Sequence, residues 1–441
     1  MLLRTGKLPS AESLREEGVA FETLDDIYEK SRNFDTLAQN LAREVKRQAK
    51  GKNLCYCVDG GVSEDRSARL LLGGDVTIIE GVTKSADAAA RAGLSCAYTA
   101  VSAYELESVK LALPLVVYDI DSRELAGDVK LLLSEKFGDE APALYIDGDA
   151  QKNIPLYEAD RQSRYGAGTT LVVFDTPLLE KKRFDLDDFL NILRLLRAPD
   201  GCPWDRAQTH ESIRINCIEE AYELVDAIDK GDPEKMREEA GDVIMQAAFH
   251  TLMEEEKGNF SMTDVLSEVC LKLITRHTHV FGKDKASGAE GALSLWEKNK
   301  MTEKHQTTYS DAVNDVPACF SALLRAQKIA KRMEKGGWDA ATIENFERKF
   351  REEYDELMAA CKTGDAKKIA EELGDVLFCT VELGRAVGGD CEMALLDTVK
   401  KMAARYTAYE GLVLSDGKDV HKLTDEEKLD YYKRAKDAAR A

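Results

Sequence analysis

No Cys-x-x-Cys pair occurs in the 441 residues, and the ten cysteines and six histidines nowhere form a quartet with zinc spacing. The thiols are expected to be reduced and to fill space as small hydrophobes in a cytoplasmic protein. No run approaches the ~18–20 apolar residues of a membrane span, so no membrane partner is expected. The opening residues, Met1 to Lys7, lack the apolar centre of a secretory signal. Basic charge is also short, with 61 Lys+Arg against 81 Asp+Glu and a net charge of −20. Direct binding to a nucleic-acid backbone is therefore not expected. A polyanion that arrives with a divalent cation stays open, because carboxylates can hold the ion that holds the phosphate.

What is present is ample apolar material, 44% of the chain, over a length that suggests about three domains. Up to Pro177, short β-rich runs alternate with helical stretches. Leu54–Val58, Val76–Glu80, Leu113–Ile120, Ala143–Ile146 and Thr170–Phe174 read as strands. Phe34–Lys50, Ala86–Ala92, Ser102–Ala112 and Ser122–Phe137 read as helices, so a mostly parallel sheet is expected. Beyond Pro177 the strands stop and helical spacing takes over. The expected organisation is an α/β domain over 1–177 and two all-α domains over 183–302 and 315–411. A tail with a helix at Asp425–Arg440 fills 412–441. Gly231-Asp232-Pro233 ends one helix and caps the next, and Lys257-Gly258-Asn259 and Thr363-Gly364-Asp365 are similar breaks. Gly282–Gly291 and Glu303–Val316 read as connectors.

The helical half repeats itself at an offset of 133 residues. Glu219, Glu220, Glu223 and Leu224 fall on Glu352, Glu353, Glu356 and Leu357. Gly231-Asp232 falls on Gly364-Asp365, and Glu238, Glu239, Gly241 and Asp242 fall on Glu371, Glu372, Gly374 and Asp375. Trp204-Asp205 meets Trp338-Asp339 after a shift of one. Residues three apart share a helix face, so Glu220 pairs with Glu223 and Glu239 with Asp242. Each pair lies ~10–12 Å from the intervening turn at ~1.5 Å per residue. An antiparallel hairpin would bring four carboxylates to one level, where they repel unless a cation neutralises them. Oxygen-only ligation selects a hard ion, Mg²⁺ or Mn²⁺, which keeps waters and takes phosphate oxygens as further ligands. Hydrolysis of a phosphate ester or anhydride is the matching reaction class.

Several segments together resemble the MazG-type nucleoside triphosphate pyrophosphohydrolases. They are Ala198–Asp205 with Gln208-Thr209, Glu219–Asp242, Lys272–Gly282, Ala326–Lys328, Gly337–Asp339, Glu352–Asp375 and Lys401–Arg405. The resemblance covers about 185–410 as two tandem modules. It implies a helical bundle, Mg²⁺ dependence, and cleavage of NTP or dNTP to the monophosphate and pyrophosphate. It also implies metal ligation by Glu220, Glu223, Glu239 and Asp242, and again by Glu353, Glu356, Glu372 and Asp375. Glu219 and Glu352 are the candidate bases. Arg276, Lys328, Lys401 and Arg405 are candidate phosphate clamps, and Trp204 and Trp338 either stack on a base or pack. Sites of this kind are commonly completed across subunits, so a homodimer, or an intramolecular pairing of the two modules, is expected. Glu382 stands where the family tends to have Asn, and Thr278 where it usually has Pro between two histidines.

The N-terminal part is similar to tetrapyrrole methylases at Arg4-Thr5, Phe21–Tyr28, Tyr118–Arg123, Asp128–Leu133 and Pro155–Tyr157. The Gly-x-Gly-Pro loop of that family is missing, and its second loop reads Asp59-Gly60-Gly61-Val62. Methyl transfer is therefore expected to be lost, leaving a relic scaffold or a regulatory domain. The rival readings are a regulatory or scaffold protein with one degenerate module, and a methyltransferase fused to a hydrolase.

Overall fold

The computed structural model describes residues 1–7, 9–31, 34–73, 75–166, 168–338 and 342–438. The chain divides into two compact units, Met1–Asn259 and Phe260–Ala441. Among its described residues, the first begins with eight short strands in two sheets. β1 (Leu2–Leu3), β2 (Glu22–Thr23) and β3 (Tyr56–Cys57) form a parallel sheet in the order β2-β1-β3. Leu2, Leu24, Leu37, Leu41 and Val45 form its core, and the last three come from the helix Phe34–Gln48. β4 (Thr99–Ser102), β5 (Leu115–Tyr118), β6 (Pro142–Asp147), β7 (Ala150–Pro155) and β8 (Thr170–Val173) form the second sheet, ordered β4-β5-β8-β6-β7.

That second sheet corrects the expectation of mostly parallel pairing. β4 and β5 run parallel, whereas β8 is antiparallel to both β5 and β6, and β6 and β7 form an antiparallel hairpin. The Asp147–Ala150 turn closes that hairpin locally, which no crossover helix could do. Side chains of β5 and β8 alternate between two cores: Leu115, Val117, Leu171 and Val173 face one, Val116 and Val172 the other. The helix Arg123–Phe137, capped by Ser122, covers the first of these cores with Ala126, Val129 and Leu133.

Three local expectations also fail. Val76–Glu80 is not a strand; Ile79 is 85% exposed, and among the described residues the run pairs with neither sheet. Ser102–Ala112 is a strand end followed by a 3₁₀ turn, Ala103–Ser108, because its apolar residues turn into the sheet core at Ala103 and Leu106. Of the ten cysteines, all free, Cys379 alone is buried, so most do not act as core hydrophobes.

The remainder is helical. In the first unit, Leu186–Arg197 packs on the hairpin of Asn216–Lys230 and Pro233–Glu256. Its Arg194 and Arg197 pair with Glu255 and Glu256 at 3.0 and 2.6 Å. The turn forms as its sequence demands. Gly231 takes φ +63°, and the Asp232 carboxylate accepts from the backbone N–H groups of Glu234 and Lys235. The second unit repeats this hairpin as Ile343–Thr363 and Ala366–Ala386, with Gly364 at φ +74° and Asp365 capping Lys367 and Lys368. Met262–Arg276, Gly288–Glu303, Ala322–Lys335, Cys391–Ser415 and Asp425–Ala438 complete that unit; residues 439 and 440 of the expected last helix lie outside the described residues. The Glu303–Val316 connector carries a short helix of its own, Tyr309–Asn314, and the Gly282–Gly291 connector ends where Gly288–Glu303 begins. Among the described residues no helix is long and apolar enough to cross a membrane.

Two candidate metal centres

The hairpins place the repeated carboxylates face to face. In the first, carboxylate oxygens of Glu220, Glu223 and Glu239 lie within 4.8 Å of one another, and in the second those of Glu353, Glu356 and Glu372 do the same. Glu239 and Glu372, on the returning helices, are buried, at 1% and 6% exposure, while Glu223 and Glu356 reach solvent. Each cluster thus has a closed inner end and an open outer end. That suits an ion which keeps waters and takes ligands from solution.

The electrostatics show the strain of this arrangement. Burial pushes the Glu220 carboxyl above its usual range, and the charges of Asp242, Glu223 and Glu239 add to it. Glu353 is raised likewise, by burial and then by Asp375, Glu356 and Glu372. Glu372 is raised by burial and then by Glu356. Asp242 and Asp375 therefore stand close enough to act on the clusters, each through the carboxylate on the facing helix. The donor set fits a hard divalent cation: every group is an oxygen anion, and each group raised in this way is destabilised by a charge that a cation would neutralise.

Four residues not singled out as site residues from the sequence bear on these sites. Lys235 lies one turn before Glu239, and its ammonium is 2.6 Å from Oε1, an ion pair rather than an aligned hydrogen bond. Lys368 holds the matching place before Glu372 and works against the rise of that carboxyl. The offset of 133 would have found both. Gln246, buried, hydrogen-bonds the Glu220 carboxylate, and the second module has Cys379 in its place. Burial, with the charges of Glu353 and Glu382, pushes that thiol up to about 11. Glu382 is itself buried on the same helix.

The other candidate residues are less concentrated. Glu219 and Glu352 are exposed beside the clusters, and Arg348 lies 3.8 Å from Glu352. Trp204 and Trp338 are exposed, at 65% and 67%, so neither is a packing residue of the described chain; Asp339, beside Trp338, lies outside the described residues. Arg276 lies in the second compact unit, where it pairs with Glu303 at 2.8 Å and stacks over Trp296. Lys328 lines a cavity of mixed charge with Lys331, Lys335, Arg385, Glu334 and Asp390. Arg385 is ten residues beyond Asp375, ~15 Å along the helix, so that end of the cavity lies away from the carboxylate cluster. Lys401 and Arg405 lie on Cys391–Ser415, and the Arg405 guanidinium touches the Met402 sulfur at 4.0 Å.

Paired helical hairpins with mirrored carboxylate clusters define a tandem acidic-site protein, and comparison with known proteins gives the family. The MazG nucleotide pyrophosphohydrolase domain matches twice, at residues 208–281 and 341–408. The nucleoside triphosphate pyrophosphohydrolase of Escherichia coli is 38% identical over 235 residues, 53% of this chain and 89% of that protein. The nucleoside triphosphate pyrophosphohydrolase/pyrophosphatase MazG of Thermotoga maritima is 36% identical over 57% of this chain and 95% of its own. The uncharacterized protein YabN of Bacillus subtilis is 28% identical over 100% of this chain and 93% of its own length. The chain belongs to the MazG family.

Proposed function

We propose that the protein hydrolyses nucleoside triphosphates, ribo or deoxy, to the monophosphate and pyrophosphate, with Mg²⁺ or Mn²⁺ as its cofactor. The observation that carries this reading is the duplicated cluster of three converging glutamates, one buried and one open in each copy. Glu220, Glu223 and Glu239 would hold the metal with Asp242 beside them, and Glu353, Glu356 and Glu372 with Asp375. When bound, the metal neutralises phosphate charge and lowers the pKa of a bound water. The buried glutamates cannot rotate away, so they fix where charge is neutralised; the exposed ones leave the polyphosphate a way in. Glu219 and Glu352 are our candidates for the carboxylate that accepts the proton of the attacking water. Lys328, Lys401, Arg405 and Arg276 are our candidates for polyphosphate contacts, and Trp204 and Trp338, exposed as they are, for stacking on a base.

We further propose a cytoplasmic homodimer. Its support is the helix Met262–Arg276, which leaves Val265, Leu266, Val269, Leu271, Leu273 and Ile274 exposed, more than scattered surface apolars account for. The N-terminal region we read as a methylase-like scaffold without methyl transfer. Asp59, in the degenerate loop, is committed to Lys84 at 3.0 Å, and Lys84 reaches Asp119 at 2.7 Å.

The test is pyrophosphate release from a panel of NTPs and dNTPs with Mg²⁺. Changing Glu239→Gln and Glu372→Gln together should lower turnover at least ~100-fold, about 2.7 kcal/mol of transition-state stabilisation. Full activity in the double variant would overturn the assignment.

A further inference from the structure

One set of titratable side chains near the first cluster takes no part in it. His210 opens the short helix His210–Ile213, set in place by a capping box between Thr209 and Ser212. His250 and Glu254 lie one turn apart towards the end of Pro233–Glu256. His210 Nε2 is 2.6 Å from Glu254 Oε1, and His210 Nδ1 is 2.7 Å from His250 Nδ1. The two rings are nearly parallel, with centroids 5.0 Å apart. Lys257 Nζ and Asn259 Nδ2 donate to Glu254 at 2.7 and 2.5 Å.

Donor and acceptor rules limit the protons this set can hold. A carboxylate only accepts, so His210 Nε2 carries a hydrogen and donates it to Glu254. The Nδ1–Nδ1 contact needs one hydrogen between its nitrogens. With both rings neutral, His250 donates it. With one added proton a single hydrogen can still lie between the two Nδ1 atoms, donated by either ring, and the contact holds. A second added proton sets two N–H groups head to head at 2.7 Å, and the contact must open.

We propose that Glu254, His210 and His250 form a proton-operated clasp that fastens the segment entering the first carboxylate-bearing helix and releases it on double protonation. The residues it ties together bracket the first cluster. His210 precedes the helix of Glu219, Glu220 and Glu223, and His250 follows Glu239 and Asp242 on the returning helix. The second module has no such set: at the offset of 133, Ile343, Leu383 and Val387 replace His210, His250 and Glu254. Release of the clasp therefore acts on the first cluster and has no counterpart at the second.

The surroundings agree. Hydrogen bonds from Lys257, Asn259 and His210 hold the Glu254 carboxyl down at about 2, so it stays the acceptor throughout. Burial, and then the nearby His210, lower His250 below its usual value, which opposes the second proton. Glu211 is the other charge on the short helix, and Arg206 and Asp205 precede it on Pro203–Ala207. Arg194 and Arg197 of the Leu186–Arg197 helix are paired with Glu255 and Glu256. Because the folded value of His250 is lowered, the clasp is fully closed above the ordinary histidine value of about 6.5. It is lost as pH falls through the lowered one.

The test is hydrogen exchange on the full chain at pH 7.5 and 5.0, corrected for intrinsic rates. One pKa unit between closed and open states is a tenfold change in opening. Amides of 210–218 should lose ~10-fold or more protection in the unmodified protein, and those of 343–351 less than ~2-fold. His250→Asn keeps an amide that can pair with His210 Nδ1 at either charge, and should reduce the 210–218 loss to less than ~2-fold. Unchanged protection in the unmodified protein, or an equal loss in His250→Asn, overturns the proposal. Imidazole nitrogen shifts of the unmodified protein give a check that needs no variant. The first added proton should leave one hydrogen between the two Nδ1 atoms and the His210 Nε2–H on Glu254, with the two rings titrating as a coupled pair. Independent titration of both rings overturns it equally.

Discussion

Each compact unit carries one carboxylate cluster, so metal should stabilise the two units separately, and Glu372→Gln should abolish the effect in one of them alone. A ligand at 100 times its dissociation constant stabilises the state it binds by about 2.7 kcal/mol. The first unit spans Met1–Asn259 and the second Phe260–Ala441. At ~2.1 cal/mol/K per residue, their unfolding entropies are ~0.5 and ~0.4 kcal/mol/K, so the same free energy raises their midpoints by ~5 and ~7 °C. Calorimetric scans in EDTA and in Mg²⁺, at a concentration set by a prior titration, should resolve both shifts. In Glu372→Gln the shift of the second unit should vanish and that of the first should stay. Glu239→Gln should do the reverse. Gln keeps the volume and loses the charge, so Glu372→Gln should not lower the midpoint of its own unit in EDTA, where like-charge repulsion has been relieved, whereas Glu239→Gln also gives up the ion pair with Lys235. A full metal shift of the second unit in Glu372→Gln would refute the reasoning, because the buried glutamate would then not be a ligand.

The same carboxylates, turns and core residues set further expectations. Glu353 and Glu372 have raised folded values, so their contribution to stability is complete below the unfolded value of about 4.5 and is lost as pH rises through the folded ones. In EDTA the midpoint of the second unit should therefore rise as pH falls from 7 towards 5, while in Mg²⁺ it should fall as protons displace the metal; calorimetry across that range distinguishes the two. Phe346→Ala, at a side chain 2% exposed, should destabilise the second unit by ~3–5 kcal/mol in urea unfolding. Gly364→Ala, at φ +74°, should cost ~1–2 kcal/mol and lower metal affinity in the second hairpin, measured by calorimetric titration.

Much of the helical half could be read in advance, because its signals are local. Gly231-Asp232-Pro233 and Thr363-Gly364-Asp365 dictate a turn through backbone freedom and capping alone, and both turns are present. The spacing of Glu220, Glu223 and Glu239 around that turn then leaves little choice of where they meet. The N-terminal sheet was harder. Strands as short as Leu2–Leu3 and Glu22–Thr23 carry no periodicity, and Val76–Glu80 has the composition of a strand without a partner. Pairing direction is a long-range property, so nothing in Thr170–Val173 announces that it runs antiparallel between β5 and β6.

By itself, then, the sequence determined that a helical hairpin occurs twice and which carboxylates it carries, since helix period and turn chemistry act over a few residues. Tertiary structure decided which carboxylate is buried, that Lys235 and Gln246 attend the first cluster, and that Cys379 and Glu382 are enclosed in the second hairpin. Burial and mutual repulsion depend on what the facing helix brings within a few ångströms. The same holds for His210, whose meeting with His250 and Glu254 joins residues 40 and 44 positions apart that share no motif.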